Sequence, residues 1–107
     1  MMSRVHQFWV EHAAWSQATF GWDWERGPIG ALKHLSKEAL EAAENVGDLE
    51  EYADCLLLLF DATRRAGFSL DELLTAAFLK LDKNKKRQWQ KPTAGDQPIE
   101  HVEGIHD

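Results

Sequence analysis

The sequence predicts an all-α protein, a small four-helix bundle with short connections. Three observations carry this. Apolar residues recur at spacings of three and four along most of the chain. Ser or Asp with an acid three residues later precedes two of these runs, and Gly or Pro follows them. No stretch alternates with the two-residue period of a half-buried strand.

The first helix is expected from Ser3 to about Thr19, with Val5, Phe8, Trp9 and Ala13 on one side. Gly21-Trp-Asp-Trp-Glu-Arg-Gly27 reads as a loop. Pro28 suits the first turn of a second helix, where its missing N–H would be unpaired anyway. Leu32, Leu35, Ala39, Ala42 and Val46 form that helix's apolar stripe, and Gly47 suits its C-terminal cap. Asp48 opens a third helix with Glu51 at the capping-box position, ending at Gly67. Its middle is apolar nearly all round, so it is expected to be the most buried element. Ser69 and Glu72 form a second capping box. The fourth helix turns Leu70, Leu73, Leu74, Ala77 and Leu81 toward a core, continues to Arg87 or Trp89, and is over by Pro92. Residues 1–92 are thus one helical domain. Residues 93–107 are a tail with Gly95, Pro98 and Gly104, left for a ligand or a subunit to order.

A chain of 107 residues fits one domain. Such a chain leaves roughly a third of its unfolded-state surface exposed. With five Trp and 44% hydrophobic residues, some of that surface is available to another subunit. A net charge of −6 argues against nucleic acid and anionic membranes as partners, since both call for a basic face. The run Cys55–Phe60 is too short to span a bilayer. Met1–His6 lacks a signal-peptide core, and the single Cys55 allows no internal disulfide, so a cytoplasmic protein is expected.

Two acid pairs carry the chemistry. Glu38 and Glu41 stand one turn apart on the second helix, and Glu51 and Asp54 on the third. On a wheel of about 100° per residue, His34, Glu38, Glu41 and Asn45 share a stripe bordering the neighbouring helix. Glu51, Asp54, Leu58 and Asp61 share another. Four carboxylates that close repel unless cations lie between them, and hard divalent cations prefer oxygen ligands. Other readings are open at each position. Glu38 and Glu41 also suit a solvated surface, Glu51 a helix cap, and Asp54 an ion pair with Arg64, Arg65 or Arg87.

Lys80, Asn84 and Arg87 share one face of the fourth helix, and a Lys and an Arg fork are the usual means of neutralising phosphate. Lys83, Lys85 and Lys86 read equally as dipole-favoured cations at a helix C-terminus. Phe20, Trp22 and Trp24 offer either a stacking surface for a base or interface anchors. His34, one turn before Glu38, reads as a phosphate or metal-water contact or as a structural histidine.

Leu35-Ser-Lys-Glu38-Ala-Leu-Glu41, Leu49-Glu-Glu51-Tyr-Ala-Asp54 and Lys80-Leu-Asp-Lys-Asn84-Lys-Lys-Arg87-Gln-Trp89 resemble the all-α MazG-like nucleoside triphosphate pyrophosphohydrolases. Gly27-Pro-Ile-Gly-Ala-Leu-Lys-His34-Leu and Pro98-Ile-Glu-His101-Val are similar to the short phage branch, MazZ-like, that acts on dATP and dGTP. The resemblance implies an enzyme that converts a purine dNTP to the monophosphate and pyrophosphate by water attack at the α-phosphate. It implies two or three Mg²⁺ or Mn²⁺ ions held by Glu38, Glu41, Glu51 and Asp54, with Glu38 as general base. Lys80 and Arg87 would stabilise the leaving charge. His34, Asn84 and Trp22 would bind substrate. It also implies a homo-oligomer, a dimer or a dimer of dimers (a homotetramer). Lys37 stands where the family often has a second acid, and the link between Glu41 and Glu51 is short; Glu44 and Glu50 are the candidate additions to the ligand set. The rival reading is a non-catalytic helical nucleotide-binding or interaction protein.

Overall fold

The computed structural model describes residues 1–91 and 95–102, and these contain four helices and no strand. Helix α1 spans Arg4–Phe20, α2 Ile29–Glu44, α3 Leu49–Arg65 and α4 Leu70–Lys85. The fold class is therefore all-α, as the periodicity predicts.

The helix ends follow local chemistry. Ser3 caps α1, its Oγ accepting from the His6 N–H at 3.3 Å. Ser69 and Glu72 form a reciprocal capping box: the Glu72 N–H donates to Ser69 Oγ at 3.1 Å, and the Ser69 N–H donates to Glu72 Oε1 at 3.0 Å. Gly21 and Gly67 terminate α1 and α3 with φ of 114° and 96°, backbone that a side chain would strain.

Four boundaries depart from expectation. Helix α2 stops at Glu44 with Asn45, not Gly47, as its C-cap, and Asn45 Nδ2 donates to the Glu41 carbonyl at 3.0 Å. Pro28 sits one residue earlier than expected, as N-cap. Asp48 caps α3 by accepting from the Glu50 N–H at 3.0 Å, whereas the Glu51 carboxylate takes no recorded part in that cap. Helix α4 ends at Lys85 because the following chain turns out of the helix. There Trp89 Nε1 donates to the Asn84 carbonyl at 2.9 Å, and Trp89 pairs with His101 as an isolated bridge.

The chain divides into two compact units, Met1–Leu73 and Leu74–Asp107. In the first, α3 packs against both α1 and α2. Its apolar centre is Ala42, Phe60, Ala62 and Leu70, with Phe60 edge-on to Trp9 at 5.1 Å and tilted to Phe8 at 5.9 Å. The core is smaller than the stripes imply. Val5, Leu32, Val46, Leu56 and Leu59 are exposed, so α3 is covered only along the faces that meet its neighbours. In the second unit the rings of Trp89 and His101 meet edge to face at 5.9 Å, and the Val102 N–H donates to the Gln88 carbonyl at 2.7 Å. The expected stop at Pro92 and positions 93–94 and 103–107 of the expected tail lie outside the described residues. Among the described residues no helix is long and apolar enough to cross a membrane.

Candidate functional site

The reversal between α2 and α3 spans only 45–48. Tyr52 pins it by donating its hydroxyl to the Val46 carbonyl at 2.9 Å. Glu41 and Glu51 lie nearly equidistant from this reversal, and Glu38 and Asp54 one turn further out. Antiparallel packing therefore faces the two acid pairs across the helix seam.

One carboxylate oxygen each of Glu38, Glu41 and Glu51 lies within 4.8 Å of the others. Glu51 Oε2 is sealed from water and has no hydrogen-bond partner among the described residues. An acceptor left in that state is costly unless something positive meets it. Desolvation is the first cause holding the Glu51 carboxyl above its ordinary range, followed by the charges of Asp48, Glu38, Asp54 and Glu50. Glu41 is likewise raised, first by the side-chain hydrogen bond it shares with Glu38, then by the charge on Glu38. Glu38 also meets His34 Nε2, at 3.0 Å. Hard oxygen donors crowded in this way are compatible with a divalent cation, although acidic clusters also occur without one.

A cavity of about 650 Å³ opens beside this cluster, within the range of pockets that hold small ligands. Glu38, His34 and Asp54 line it. Asp54 is exposed and stands outside the close three-acid group. Arg64 and Arg65, open as partners for Asp54 in the sequence, pair instead with Asp61 and Asp23.

That second set forms the rest of the cavity wall, with His12, Trp15, Ser16 and Phe20 of α1 facing Asp61 and Arg65 of α3. Ser16 is fully buried, and its Oγ donates to Asp61 Oδ1 at 2.6 Å. Arg65 Nε donates to Asp61 Oδ2 at 3.1 Å, its Nη2 to Ser16 Oγ at 3.0 Å and its Nη1 to the Gly21 carbonyl at 3.1 Å. Arg64 Nη2 donates to Asp61 Oδ1 at 2.5 Å, while Arg64 Nε donates to both oxygens of Asp23 in the loop. Desolvation pushes the Asp61 carboxyl up, but the hydrogen bonds from Ser16, Arg64 and Arg65 outweigh it and hold it below the ordinary range.

The sequence singled out none of His12, Trp15, Ser16 or Arg65 as a wall of the site. The available signal was the polar pair His12 and Ser16, one turn apart on an otherwise apolar face. Trp22 does not line the cavity; Trp15 and Phe20 do, edge to face at 5.3 Å. Lys80, Asn84 and Arg87 belong to the second unit, where Arg87 Nη1 donates to Asn84 Oδ1 at 3.1 Å.

The protein is thus an all-helical one with a carboxylate cluster at the edge of a cavity large enough for a small ligand. More narrowly, the model of the dATP/dGTP pyrophosphohydrolase family matches residues 8–106, and the chain belongs to that family. It is also similar to the Eaa protein of Salmonella phage P22, with 53% identity over 93 residues. That match covers 86% of this chain and 28% of the phage protein, so the chain spans little more than a quarter of its relative's length. No solved structure matches the chain.

Proposed function

We propose that this chain is a metal-dependent pyrophosphohydrolase that converts dATP, dGTP or both to the monophosphate and pyrophosphate. The observation that carries the proposal is the Glu38–Glu41–Glu51 cluster, with its orphaned Glu51 oxygen, beside a cavity that Glu38 itself lines. Family membership supports the substrate class.

Glu38, Glu41 and Glu51 would hold Mg²⁺ or Mn²⁺, two or three ions in all, with Asp54 as fourth ligand from the cavity wall. Such ions supply charge neutralisation for a triphosphate and acidify water. Glu38 would take the proton from the attacking water, and its contact with His34 Nε2 at 3.0 Å would steady the carboxylate. The water oxygen bonds to the α-phosphorus. The bond from that phosphorus to the bridging oxygen breaks, and its electron pair leaves on pyrophosphate. By the family pattern, Lys80 and Arg87 would meet the leaving charge, and Asn84 the triphosphate or sugar. The apolar residues exposed on the first unit support a homo-oligomer, a dimer or a dimer of dimers.

The test is a panel of the four dNTPs and their ribose counterparts with Mg²⁺ or Mn²⁺, scored for monophosphate and pyrophosphate. Glu38→Gln is expected to abolish turnover while nucleotide binding persists. Absence of pyrophosphate from every substrate defeats the enzyme; binding without release leaves a nucleotide-binding protein.

A further inference from the structure

His12 is a second orphan in this cavity. It lies on α1, is 8% exposed, and lines the wall with Trp15 and Ser16. Its ring lies between Phe8 and Trp15, near-parallel to both, at centroid distances of 5.9 and 6.3 Å. No hydrogen bond reaches either ring nitrogen among the described residues, and Nδ1 is sealed from water. Burial lowers the His12 pKa, the charges of Arg64 and Arg65 lower it further, and Asp61 opposes them. The ring is therefore neutral at pH 7, with one N–H and one bare nitrogen.

The burial pattern favours one tautomer. A sealed N–H without an acceptor is rarer and costlier than a sealed lone pair. The bare nitrogen is then Nδ1, and the proton rests on Nε2. With its faces stacked and Nδ1 closed off, the ring has one hydrogen-bonding group left for a ligand, the Nε2–H donor.

We propose that the aromatic end of the cavity is the base subsite, and that His12 selects purines there by donating Nε2–H to the purine N7. That acceptor occurs in adenine and in guanine and has no counterpart in the single ring of a pyrimidine, whereas purine N3 has one in pyrimidine O2. One donor thereby admits both purine triphosphates without reading the exocyclic groups that distinguish them. Trp15 and Phe20, both partly exposed, supply flat surface on which the double ring can lie. The inference rests on the nucleotide reading of the cavity given above.

The experiment compares wild type, His12→Phe and His12→Gln on dGTP, dATP, their 7-deaza and 3-deaza analogues, and dCTP. Phe keeps a flat ring in the stack and removes the donor; Gln restores an N–H. In wild type the 7-deaza analogues of both bases, and not the 3-deaza ones, should lower kcat/KM about tenfold, as befits one hydrogen bond; sensitivity at position 3 alone overturns the proposal. His12→Phe should lose about tenfold on dGTP and dATP, leave dCTP unchanged, and no longer distinguish deaza analogues. His12→Gln should recover part of that loss. An unchanged purine-to-pyrimidine ratio in His12→Phe, or full deaza discrimination in it, overturns the proposal. If His12→Phe fails to fold, equal wild-type rates on all deaza analogues overturn it instead. If wild type releases no pyrophosphate, the catalytic reading falls separately. The same panel scored as dissociation constants then decides the role of His12 by the same criteria.

Discussion

Ser16→Ala should destabilise the first unit by about 2–3 kcal/mol, because it removes a hydroxyl that two charged groups share. Ser16 is fully buried, and Ala differs from it only by the oxygen, so almost no packing is lost. The hydroxyl donates to Asp61 at 2.6 Å and accepts from Arg65 at 3.0 Å. Its 3.4 Å contact with Arg64 is too long to add much. A hydrogen bond to a charged group contributes about 1.5–3 kcal/mol. The two do not simply add, because Asp61 keeps both arginines and Arg65 keeps Asp61 and Gly21. At about 4 °C per kcal/mol for a chain of this length, Tm should fall by roughly 8–12 °C. Urea unfolding followed by tryptophan fluorescence checks this, and the midpoint should move with its slope unchanged. A loss below about 0.5 kcal/mol, the usual size of a neutral surface change, would refute the claim that this network fixes α1 to α3. The same network sets an acid limit. Asp61 is held below its ordinary value, so its stabilisation is complete above the unfolded carboxylate pKa of about 3.9 and is lost as pH falls through its folded value.

Glu51→Gln should leave the cation-free protein at least as stable, since it removes one of three crowded carboxylates. It should also erase the cation response, a Tm rise of roughly 10 °C at a hundredfold excess over Kd in wild type; a variant that still responds like wild type removes Glu51 from the ligand set. Burial lowers the His12 pKa, so the unfolded chain takes up a proton first as pH falls below about 6.5. Stability should decline from there down through the folded value, and His12→Phe should flatten that part of a Tm–pH curve. Lys80→Ala and Arg87→Ala should each lower kcat by about a hundredfold or more with Tm little changed; a loss of less than about threefold would take either residue out of the leaving-group role.

What the sequence discloses here is what a single helix or one short reversal decides. The Ser69–Glu72 box, the Asp48 cap and the Gly67 stop each involve residues within a few positions. So does the facing of Glu41 and Glu51, since a four-residue reversal leaves little freedom of register. The far wall of the cavity is different. Ser16 and Asp61 are 45 positions apart, Arg65 and Gly21 44, and Arg64 and Asp23 41. Periodicity within one helix carries no information on which turn of α3 meets which turn of α1. Asp54 and Asp61 lie on one stripe of α3, and only tertiary packing decides that the arginines go to Asp61. The aromatic wall depends on tertiary packing too: of Phe20, Trp22 and Trp24 only Phe20 lines the cavity, beside Trp15. A cluster of Trp in a loop suggests stacking, yet Trp15 faces the cavity because it neighbours Ser16 on the helix that the network docks.

The two ends of the cavity differ electrostatically, and under the proposed function this difference would give a bound nucleotide a direction. At the α2–α3 seam three carboxylates crowd together and one oxygen lacks any donor. Positive charge would relieve that crowding, and in the proposed reading the divalent cations of a triphosphate would supply it. At the α1 wall Asp61 is already neutralised by two arginines and a serine, and His12 is uncharged. A phosphate there would find no unpaired cation among these groups, because both arginines are committed to Asp61 and Asp23. Of the cations lining the cavity, Arg65 is thus committed, while Arg26 donates to the Phe20 carbonyl at 3.3 Å; in the proposed reading the metal-bound phosphates would lie at the seam and the base at the aromatic end. Glu38 lines the cavity and belongs to the acid cluster as well, so it is the residue that joins the cluster to the cavity.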